Sequence, residues 1–377
     1  MNRHMNNGIY PQNYRSNRHL SNDGGIPVNK AKWILRNDDL RSLLNSFFLD
    51  ESRIYVRTPD GDASFCIDIS NKDILWNVSE VNNDGEVLSI NGNQVTLGWV
   101  TYDISSGTRI ADARVIVGED IEEYDFGLSY ADGYITKIRG ENPEQIYIDL
   151  VNNSYQRLGC NLEYYQISED QTLLYGWNKN WLQCFNLETK ELVWQFETPV
   201  LPNGKAKFIN FVVQGDVLYL TQHVSDILCL STKTGELIWK KEGSKKVPDS
   251  DSPHKHLASN GLLVFDDNLY MGCRMNINGW LGCYSIDDGA EQWRIENIYY
   301  EWPAGAGDLI FDICDEHTKL KAFDRFSGEI VWEAKEKMVA GGMVLISGNN
   351  IICNTTNGEL YCYEWKDPYV SPARLKT

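Results

Sequence analysis

The chain has 377 residues, of which 42% are hydrophobic and 12% aromatic, and its 53 acidic and 35 basic residues give a formal net charge of -18 at pH 7. This charge argues against direct binding of nucleic acid, because phosphates are bound by clustered lysine and arginine. No apolar run reaches the length of about 18 residues that a membrane-spanning helix needs, so no membrane partner is predicted.

The N-terminal region contains three segments with different sequence patterns. Residues 1–29 are rich in Asn, Arg, Ser and Gly without an apolar period, which predicts a flexible or surface-laid segment. They also lack the apolar stretch of a secretion signal, so a cytoplasmic protein is expected. The next segment, Lys32 to Arg36, is predicted to be a strand, and the leucine spacing between Asn37 and Leu49 predicts a short helix.

Downstream of Arg53, an apolar strand, a polar turn and a segment like that from Ala322 to Trp332 recur along the chain. Two weaker copies carry Ala111 and Arg157 in place of the final tryptophan, and an eighth copy starts at Cys362. The period of about 42 residues is typical of four-stranded propeller blades. The sequence therefore predicts an all-β propeller with eight blades, or seven if one weak copy is an insertion. Five copies keep the tryptophan at the same offset: Trp76, Trp194, Trp239, Trp293 and Trp332.

The eighth copy is cut short, and Lys32 to Arg36 is the segment that could supply its missing outer strand. Trp33 would then take the place of the repeat tryptophan. Pairing the first and last segments would close the ring and remove an open sheet edge. Because one propeller accounts for almost all of the chain, residues 30–377 are predicted to form a single domain.

The repeat also gives the tryptophans and many of the nine cysteines a structural role. Equivalent rings in successive blades are expected to fill the space between neighbours rather than to form a site. Small thiols at equivalent strand positions are expected to be buried and unpaired, as in a reducing compartment. The cysteines that share one repeat position are Cys66, Cys184, Cys229, Cys283 and Cys362.

The pattern A-x-D-x-x-x-G-x-x-x-W, present from Ala322 to Trp332, resembles the tryptophan-docking repeat of the quinoprotein-like, or PQQ-like, β-propeller family. The resemblance covers the chain from about Arg53 to Tyr363. The family includes dehydrogenases that carry pyrroloquinoline quinone, an outer-membrane-assembly lipoprotein and many cofactor-free binding propellers. This chain has no adjacent cysteine pair and no GxSxG, GxxxxGK[ST] or HExxH motif. The cofactor-free branch, with no catalytic residue and no metal, is therefore predicted.

One face of a propeller carries the loops that join successive blades and the loops between second and third strands. Residues on this face that the repeat does not explain are candidates for partner binding. His254 and His256 lie in a long polar insertion, but two histidines without a third ligand do not predict a metal site. The candidates are Glu119, Asp120, Glu122, Glu123, Asp125, Trp177, Trp181, His254, His256, Trp280, Tyr299, Tyr300, Glu301 and Trp302.

Aromatic anchors beside acidic residues favour a non-catalytic, monomeric propeller that binds a basic protein through this loop face. An acidic inhibitor of a basic partner, such as a bacterial immunity protein against a toxin, is one form of this hypothesis. The alternatives are a PQQ-dependent dehydrogenase-like enzyme and a small-molecule or carbohydrate binder. For the enzyme, Asp308, Asp312 and Asp315 are the acidic residues to consider.

Overall fold

The chain folds into eight antiparallel sheets of four strands each. In seven sheets the strands follow one another along the chain, and in the eighth an N-terminal strand joins three C-terminal ones. This is the architecture of an eight-bladed β-propeller, so the predicted all-β fold and the count of eight are confirmed. The computed structural model describes residues 30–36, 47–50, 52–57, 63–79, 88–118, 128–138, 142–198, 208–222, 226–242, 258–274, 279–296, 303–314, 318–338, 341–355 and 358–364.

The described residues belong to two compact units. The three-sheet unit covers residues 88–198. Sheet 2 consists of β6 (Leu88–Asn91), β7 (Gln94–Leu97), β8 (Val100–Asp103) and β9 (Arg109–Asp112). Sheet 3 consists of β10 (Leu128–Tyr130), β11 (Gly133–Ile138), β12 (Glu144–Asp149) and β13 (Ser154–Arg157). Sheet 4 consists of β14 (Glu163–Ile167), β15 (Leu173–Asn178), β16 (Trp181–Asn186) and β17 (Leu192–Glu197). That residues 30–377 form a single domain stays a prediction.

The five-sheet unit contains the other sheets. Sheet 1 consists of β2 (Phe47–Leu49), β3 (Arg53–Arg57), β4 (Ala63–Asp68) and β5 (Ile74–Ser79). Sheet 5 consists of β18 (Phe208–Gln214), β19 (Val217–Gln222), β20 (Asp226–Ser231) and β21 (Leu237–Lys241). Sheet 6 consists of β22 (Ala258–Phe265), β23 (Asn268–Arg274), β24 (Trp280–Ser285) and β25 (Glu291–Glu296). Sheet 7 consists of β26 (Ala304–Ala306), β27 (Leu309–Cys314), β28 (Lys319–Asp324) and β29 (Ile330–Glu333). Sheet 8 consists of β1 (Trp33–Arg36), β30 (Gly341–Ser347), β31 (Asn350–Thr355) and β32 (Glu359–Glu364).

Each repeat tryptophan anchors the outer strand of its own sheet. It lies opposite the small residue of the third strand, in the pairs Cys66–Trp76, Cys184–Trp194, Cys229–Trp239, Cys283–Trp293 and Ala322–Trp332. Its ring also packs on an aromatic ring of the second strand, with centroid separations of 5.9–6.4 Å. Aromatic pairs at this distance add to the stabilisation that burial provides. The repeat therefore codes for a core position in every sheet that keeps it.

The tryptophan also docks on the neighbouring sheet of the five-sheet unit. The indole N–H of Trp239 donates to the carbonyl of Ile286 at 3.0 Å, and that of Trp293 donates to the carbonyl of Arg325 at 2.9 Å. Gly289 and Gly328 lie directly beneath these rings, and both have positive φ angles, of 70° and 76°. A repeat tryptophan and the glycine of the next repeat therefore form one contact.

The N-terminal strand completes the last sheet as predicted. Trp33 pairs with Cys362 in register, which is the relation that Trp76 has to Cys66. The indole N–H of Trp33 donates to the carbonyl of Ile69 in sheet 1 at 2.8 Å. Trp33 thus replaces the missing repeat tryptophan in both strand pairing and docking.

In the three-sheet unit, sheets 2 and 3 have no repeat tryptophan opposite the third strand. Ala111 lies opposite Thr101, as the sequence indicates. In sheet 3, however, Tyr147 pairs with Gln156, whereas the sequence offset predicts Arg157. The reason is that the turn of sheet 3 is followed by regular pairing without the register shift seen in the other repeats. Arg157 instead forms an ion pair with Glu144, at 2.8 Å.

A short helix, α1 (Ala113–Val117), follows sheet 2 and contacts β12 and β13. It was not expected from the sequence. Its N-cap is Asp112, whose carboxylate accepts from the backbone N–H of Arg114 at 2.9 Å and from the guanidinium groups of Arg114 and Arg109 at 2.6 and 2.5 Å. A capping carboxylate of this kind satisfies backbone donors that the helix itself leaves unpaired.

We predict that Asp112→Asn destabilises the protein at neutral pH by about 1–2 kcal/mol, because charge-assisted hydrogen bonds are lost. Burial raises the pKa of this carboxyl, but hydrogen bonds from Arg114 and the charges of Arg114 and Arg109 outweigh it, and the net pKa is lowered. The stabilisation is therefore complete above the unfolded pKa of about 3.9 and is lost as the pH falls through the lower folded value.

Urea unfolding at pH 7 and in a series below pH 4 measures this effect, and the exposed Asp132→Asn serves as the control. The difference between wild type and Asp112→Asn should shrink as the pH falls. A difference that stays constant with pH would show that the ion pairs do not supply it.

The cysteine prediction is confirmed for the five repeat positions, which are buried with free thiols. Burial raises the pKa of the Cys66, Cys184 and Cys283 thiols to about 12. We predict that at pH 8 the native protein reacts with a disulfide reagent at no more than one of its nine cysteines, Cys273, whose side chain lies outside the described residues. All should react in urea. Fast modification of several thiols in the native state would contradict this burial.

One sequence expectation about the first sheet is wrong in part. The leucine spacing predicts a helix that ends at Leu49, but Phe47 to Leu49 form β2 and pair with β3. Residues 37–46 and residues 1–29 lie outside the described residues. No helix in the described part of the chain is long and apolar enough to cross a membrane.

Candidate partner-binding surface

Most candidates on the predicted loop face lie outside the described residues. Only the three tryptophans of the set can be located. The partner-binding role of the others stays a prediction: Glu119, Asp120, Glu122, Glu123, Asp125, His254, His256, Tyr299, Tyr300, Glu301 and Trp302.

The three described tryptophans differ in exposure. Trp177 on β15 is 2% exposed and Trp280 at the start of β24 is 5% exposed, so both rings belong to the core. The guanidinium of Arg294 lies 4.2 Å above the Trp280 ring, in a cation–π contact. Trp181 is half-buried at the start of β16, next to the two-residue turn of Lys179 and Asn180. Of the three rings, Trp181 is therefore the one that a partner could reach.

The quinone-dependent alternative needs oxygen ligands that converge on a calcium ion. Asp308 lies in the turn before β27, with its carboxylate 3.3 Å from the guanidinium of Arg325. Asp312 is 1% exposed in the middle of β27 and lies opposite Lys321, whereas Asp315 is outside the described residues. Across the described ranges, no three His, Cys, Asp or Glu side chains group as metal ligands. The two described members, Asp308 and Asp312, therefore do not belong to a cluster of metal ligands among the described residues.

A different surface of the five-sheet unit is strongly acidic. In sheets 5 and 7, the turn between the first two strands lies beside the turn between the last two, because the backbone N–H of Thr232 donates to the Asp216 carbonyl and that of Arg325 to the Asp308 carbonyl, at 3.0 Å each. The two corresponding turns of sheet 6 contact these sheets, through the Asp266–Arg325 ion pair and the Ile286 carbonyl that accepts from Trp239. We call these six turns the acidic turn surface. Its only basic residues are Lys233 and Arg325. Its eight acidic residues are Asp216, Glu236, Asp266, Asp267, Asp287, Asp288, Asp308 and Glu329.

Both basic side chains of the acidic turn surface are already paired. Lys233 lies 2.8 Å from the carboxylate of Asp216. Arg325 contacts Asp266 of sheet 6 and Asp308 of its own sheet, and its backbone carbonyl accepts the indole N–H of Trp293. The contacts of Arg325 fix the turns of sheets 6 and 7 relative to each other. The surface is therefore held in place before any partner arrives, which lowers the entropy lost on binding.

Exposed apolar side chains accompany the acidic groups. Phe326, in the turn after β28, is 58% exposed, and its ring lies under the guanidinium of Arg325 at 4.4 Å. Ile238 on β21 and Ile330 on β29 are 53% and 51% exposed. An aromatic or aliphatic anchor within a charged rim is the composition of a protein-binding surface.

The carboxylate of Asp288 illustrates how the turns keep their charge. The backbone N–H of Ala290 and the hydroxyl of Ser285 hydrogen-bond to it and lower its pKa. Asp288 is therefore ionised throughout the neutral range.

Sequence reasoning placed the candidate site on the opposite loops and missed this surface, because each turn contributes only one or two acidic residues and they meet only in the folded sheets.

Part of the sequence is similar to a known family. The family described as outer membrane protein assembly factor BamB, of the PQQ_2 repeat type, matches residues 178–297. This range contains three of the repeat tryptophans, Trp194, Trp239 and Trp293. No curated protein is similar enough in sequence to be detected as a relative.

Solved structures with very different names are similar in fold. BamB from Moraxella catarrhalis has a TM-score of 0.64 at 12% identity, over 90% of this chain and 100% of that chain. The quinohemoprotein alcohol dehydrogenase ADHIIG from Pseudomonas putida has 0.69 at 10%, over 94% and 79%. Saccharomyces cerevisiae Sqt1 has 0.65 at 9%, over 90% and 100%. At such identities the likeness shows the fold alone.

Proposed function

We infer that this chain, a β-propeller of the quinoprotein-like PQQ-repeat family, is a protein-binding scaffold that recognises a basic partner. The observation that carries the proposal is the acidic turn surface, with eight acidic residues against two basic residues that are both ion-paired. A surface of one sign attracts a partner of the opposite sign and accelerates its association. The exposed ring of Phe326 supplies an apolar anchor within it.

We propose more specifically that the protein acts in the cytoplasm as a monomer and inhibits a basic toxin, as an immunity protein does. The net charge of -18 and the buried free thiols support it. Cysteines that remain free thiols suit a reducing compartment. The similarity to an assembly factor over residues 178–297 supports binding to protein rather than to nucleic acid.

Affinity capture from the native host, followed by identification and purification of the captured protein, tests this proposal. We expect a basic partner whose Kd rises by about tenfold or more between 50 and 200 mM salt, because the attraction is electrostatic. Growth of cells that express the partner alone and with this chain then tests inhibition. An acidic partner, or a Kd that salt does not change, would rule out charge-guided recognition.

A charge-neutralised variant locates the interface. Asp267→Asn, Asp287→Asn and Glu329→Gln together remove three charges from the acidic turn surface without touching the paired Arg325. We predict that association slows by about tenfold or more, while the unfolding midpoint changes little, because exposed charges contribute little to stability. Surface plasmon resonance measures the rate.

The matched control removes three charges elsewhere, with Asp73→Asn, Glu169→Gln and Glu197→Gln. All three side chains are exposed and lie outside the acidic turn surface. Equal slowing in both variants would mean that only the net charge matters and that the turns are not the interface.

A further inference from the structure

The outer strands of the sheets differ in one feature that decides whether another strand can pair with them. In six sheets the outer strand has a register shift at the residue before the tryptophan or Ala111, as between Cys229–Trp239 and Leu230–Leu237. An extra residue of this kind bends and twists an edge strand, and this is a common protection against pairing with other chains. The same shift occurs in sheets 1, 2, 4, 5, 6 and 7.

Among the described outer strands, only β1 and β13 pair regularly along their length. Strand β1 is protected in other ways, because Trp33 is buried, Ile34 and Leu35 are half-buried and Arg36 is ion-paired with Glu359. Strand β13 shares only the ion pair, between Arg157 and Glu144, and has no buried or half-buried residue. All four of its residues are exposed, as are the three turn residues before it.

Strand β13 is exposed because it lacks the repeat tryptophan that anchors other outer strands. Gln156 lies where sheets 1, 4, 5, 6 and 7 place the repeat tryptophan, which is buried or half-buried there, whereas Gln156 is exposed. The next repeat has Lys190 at the turn position that Gly289 and Gly328 occupy beneath their tryptophans. With neither the tryptophan nor its glycine, the outer edge of sheet 3 lacks the contact that ties the outer strands of sheets 5 and 6 to the next sheet.

Exposed apolar side chains flank this edge. Val151 in the preceding turn is 66% exposed and Tyr155 on the strand is 40% exposed. Val115 of α1, the helix that contacts β13, is 79% exposed. A regular strand edge with apolar side chains on either side offers both backbone hydrogen bonds and apolar area to an added strand.

The charged residues near β13 favour an added strand that is basic. Asp149 lies at the start of the hairpin turn, and the equivalent turn of sheet 4 carries Glu188 and Glu191 against Lys190, while Arg157 is already paired with Glu144. A second copy of this chain is disfavoured, because each copy carries a net charge of -18. An extended basic segment of a partner protein is favoured.

We propose that β13 is a docking edge, on which an extended basic segment of a partner protein adds as a fifth strand of sheet 3. This mode of binding is separate from the acidic turn surface, which belongs to the five-sheet unit. Backbone hydrogen bonds to Ser154–Arg157 would hold the added strand, and Val151, Tyr155 and Val115 would contact its side chains.

The test uses a short fluorescent peptide of alternating lysine and valine, and the same peptide with alternate amides N-methylated. Both have the same charge, but the methylated peptide cannot donate along one edge. We expect the plain peptide to bind at least about tenfold more tightly in fluorescence anisotropy, because two or more backbone hydrogen bonds are lost on methylation. Hydrogen exchange of the unmodified protein should slow in residues 150–158 when the plain peptide is added.

A variant with one valine inserted between Tyr155 and Gln156, which restores the extra residue of the other sheets, should bind the plain peptide as weakly as wild type binds the methylated one. Its circular dichroism and unfolding midpoint report whether it folds, and the exchange result on the unmodified chain stands without it. Equal binding of the two peptides, protection confined to the acidic turn surface, or no binding would each overturn strand addition at β13. Protection confined to the acidic turns would leave the proposed recognition of a basic partner intact.

Discussion

Replacing Gly328 with alanine is expected to destabilise the protein by about 2–4 kcal/mol, through backbone strain and steric overlap together. Gly328 has a φ angle of +76°, which an L-residue adopts at a cost of about 1–2 kcal/mol. A Cβ atom there would lie 2.8 Å from the Trp293 ring, whose indole N–H is held by the Arg325 carbonyl. The ring cannot move aside without losing that hydrogen bond. Thermal unfolding followed by circular dichroism measures the change.

Gly215 provides the matched control, because it separates strain from overlap. Its φ angle is +55°, in the turn before β19, and a Cβ atom added there would have no non-neighbouring atom within 4 Å. Gly215→Ala should therefore cost only the backbone strain of about 1–2 kcal/mol. Equal losses in the two variants would show that the tryptophan–glycine contact adds nothing to stability.

Replacing Trp33 with alanine is expected to cost about 3–5 kcal/mol, as for other large buried rings. The ring is 8% exposed, and its indole N–H forms a direct hydrogen bond between sheet 8 and the Ile69 carbonyl of sheet 1. Without the ring, β1 keeps its pairing with β32 but loses its anchor. Urea unfolding measures the loss, and protease cleavage within residues 30–36 should become faster in the variant.

Trp33→Phe separates packing from hydrogen bonding. Phenylalanine keeps most of the apolar ring but cannot donate to Ile69, so we expect a smaller loss, of about 1–3 kcal/mol. If alanine and phenylalanine cost the same, the hydrogen bond rather than the packing holds the strand. If neither has an effect, Trp33 is not an equivalent of the repeat tryptophan.

The repeat predicted the fold because one physical requirement recurs in each sheet. A tryptophan opposite a small third-strand residue marks the outer strand, so Trp332 and its equivalents give the register of five sheets and Trp33 that of another. The exceptions were harder to predict. The offset of Arg157 depends on a register shift that sheet 3 lacks, and Phe47 to Leu49 have helical spacing but pair with β3.

The candidate surfaces could be predicted less well, because they depend on which turns meet in space. The sequence shows dense clusters such as the acidic segment beginning at Glu119, whereas Asp266 and Asp308 are separated by dozens of residues and meet only because both pair with Arg325. Trp177 and Trp280 break the repeat and attract attention for that reason, yet their rings are buried. The exposure of a side chain depends on the strands that pack against it, and the local sequence does not show which strands these are.

The pairing of β1 with β32 also constrains the order of events during synthesis. Arg36 leaves the ribosome 323 residues before Glu359, its partner in the finished sheet. At about 5–20 residues per second, the first strand waits on the order of tens of seconds without its partner. During that time the edge of the first strand is open to other nascent chains. Strand β32, the last of the described strands to be translated, is therefore also the one that ends this exposure.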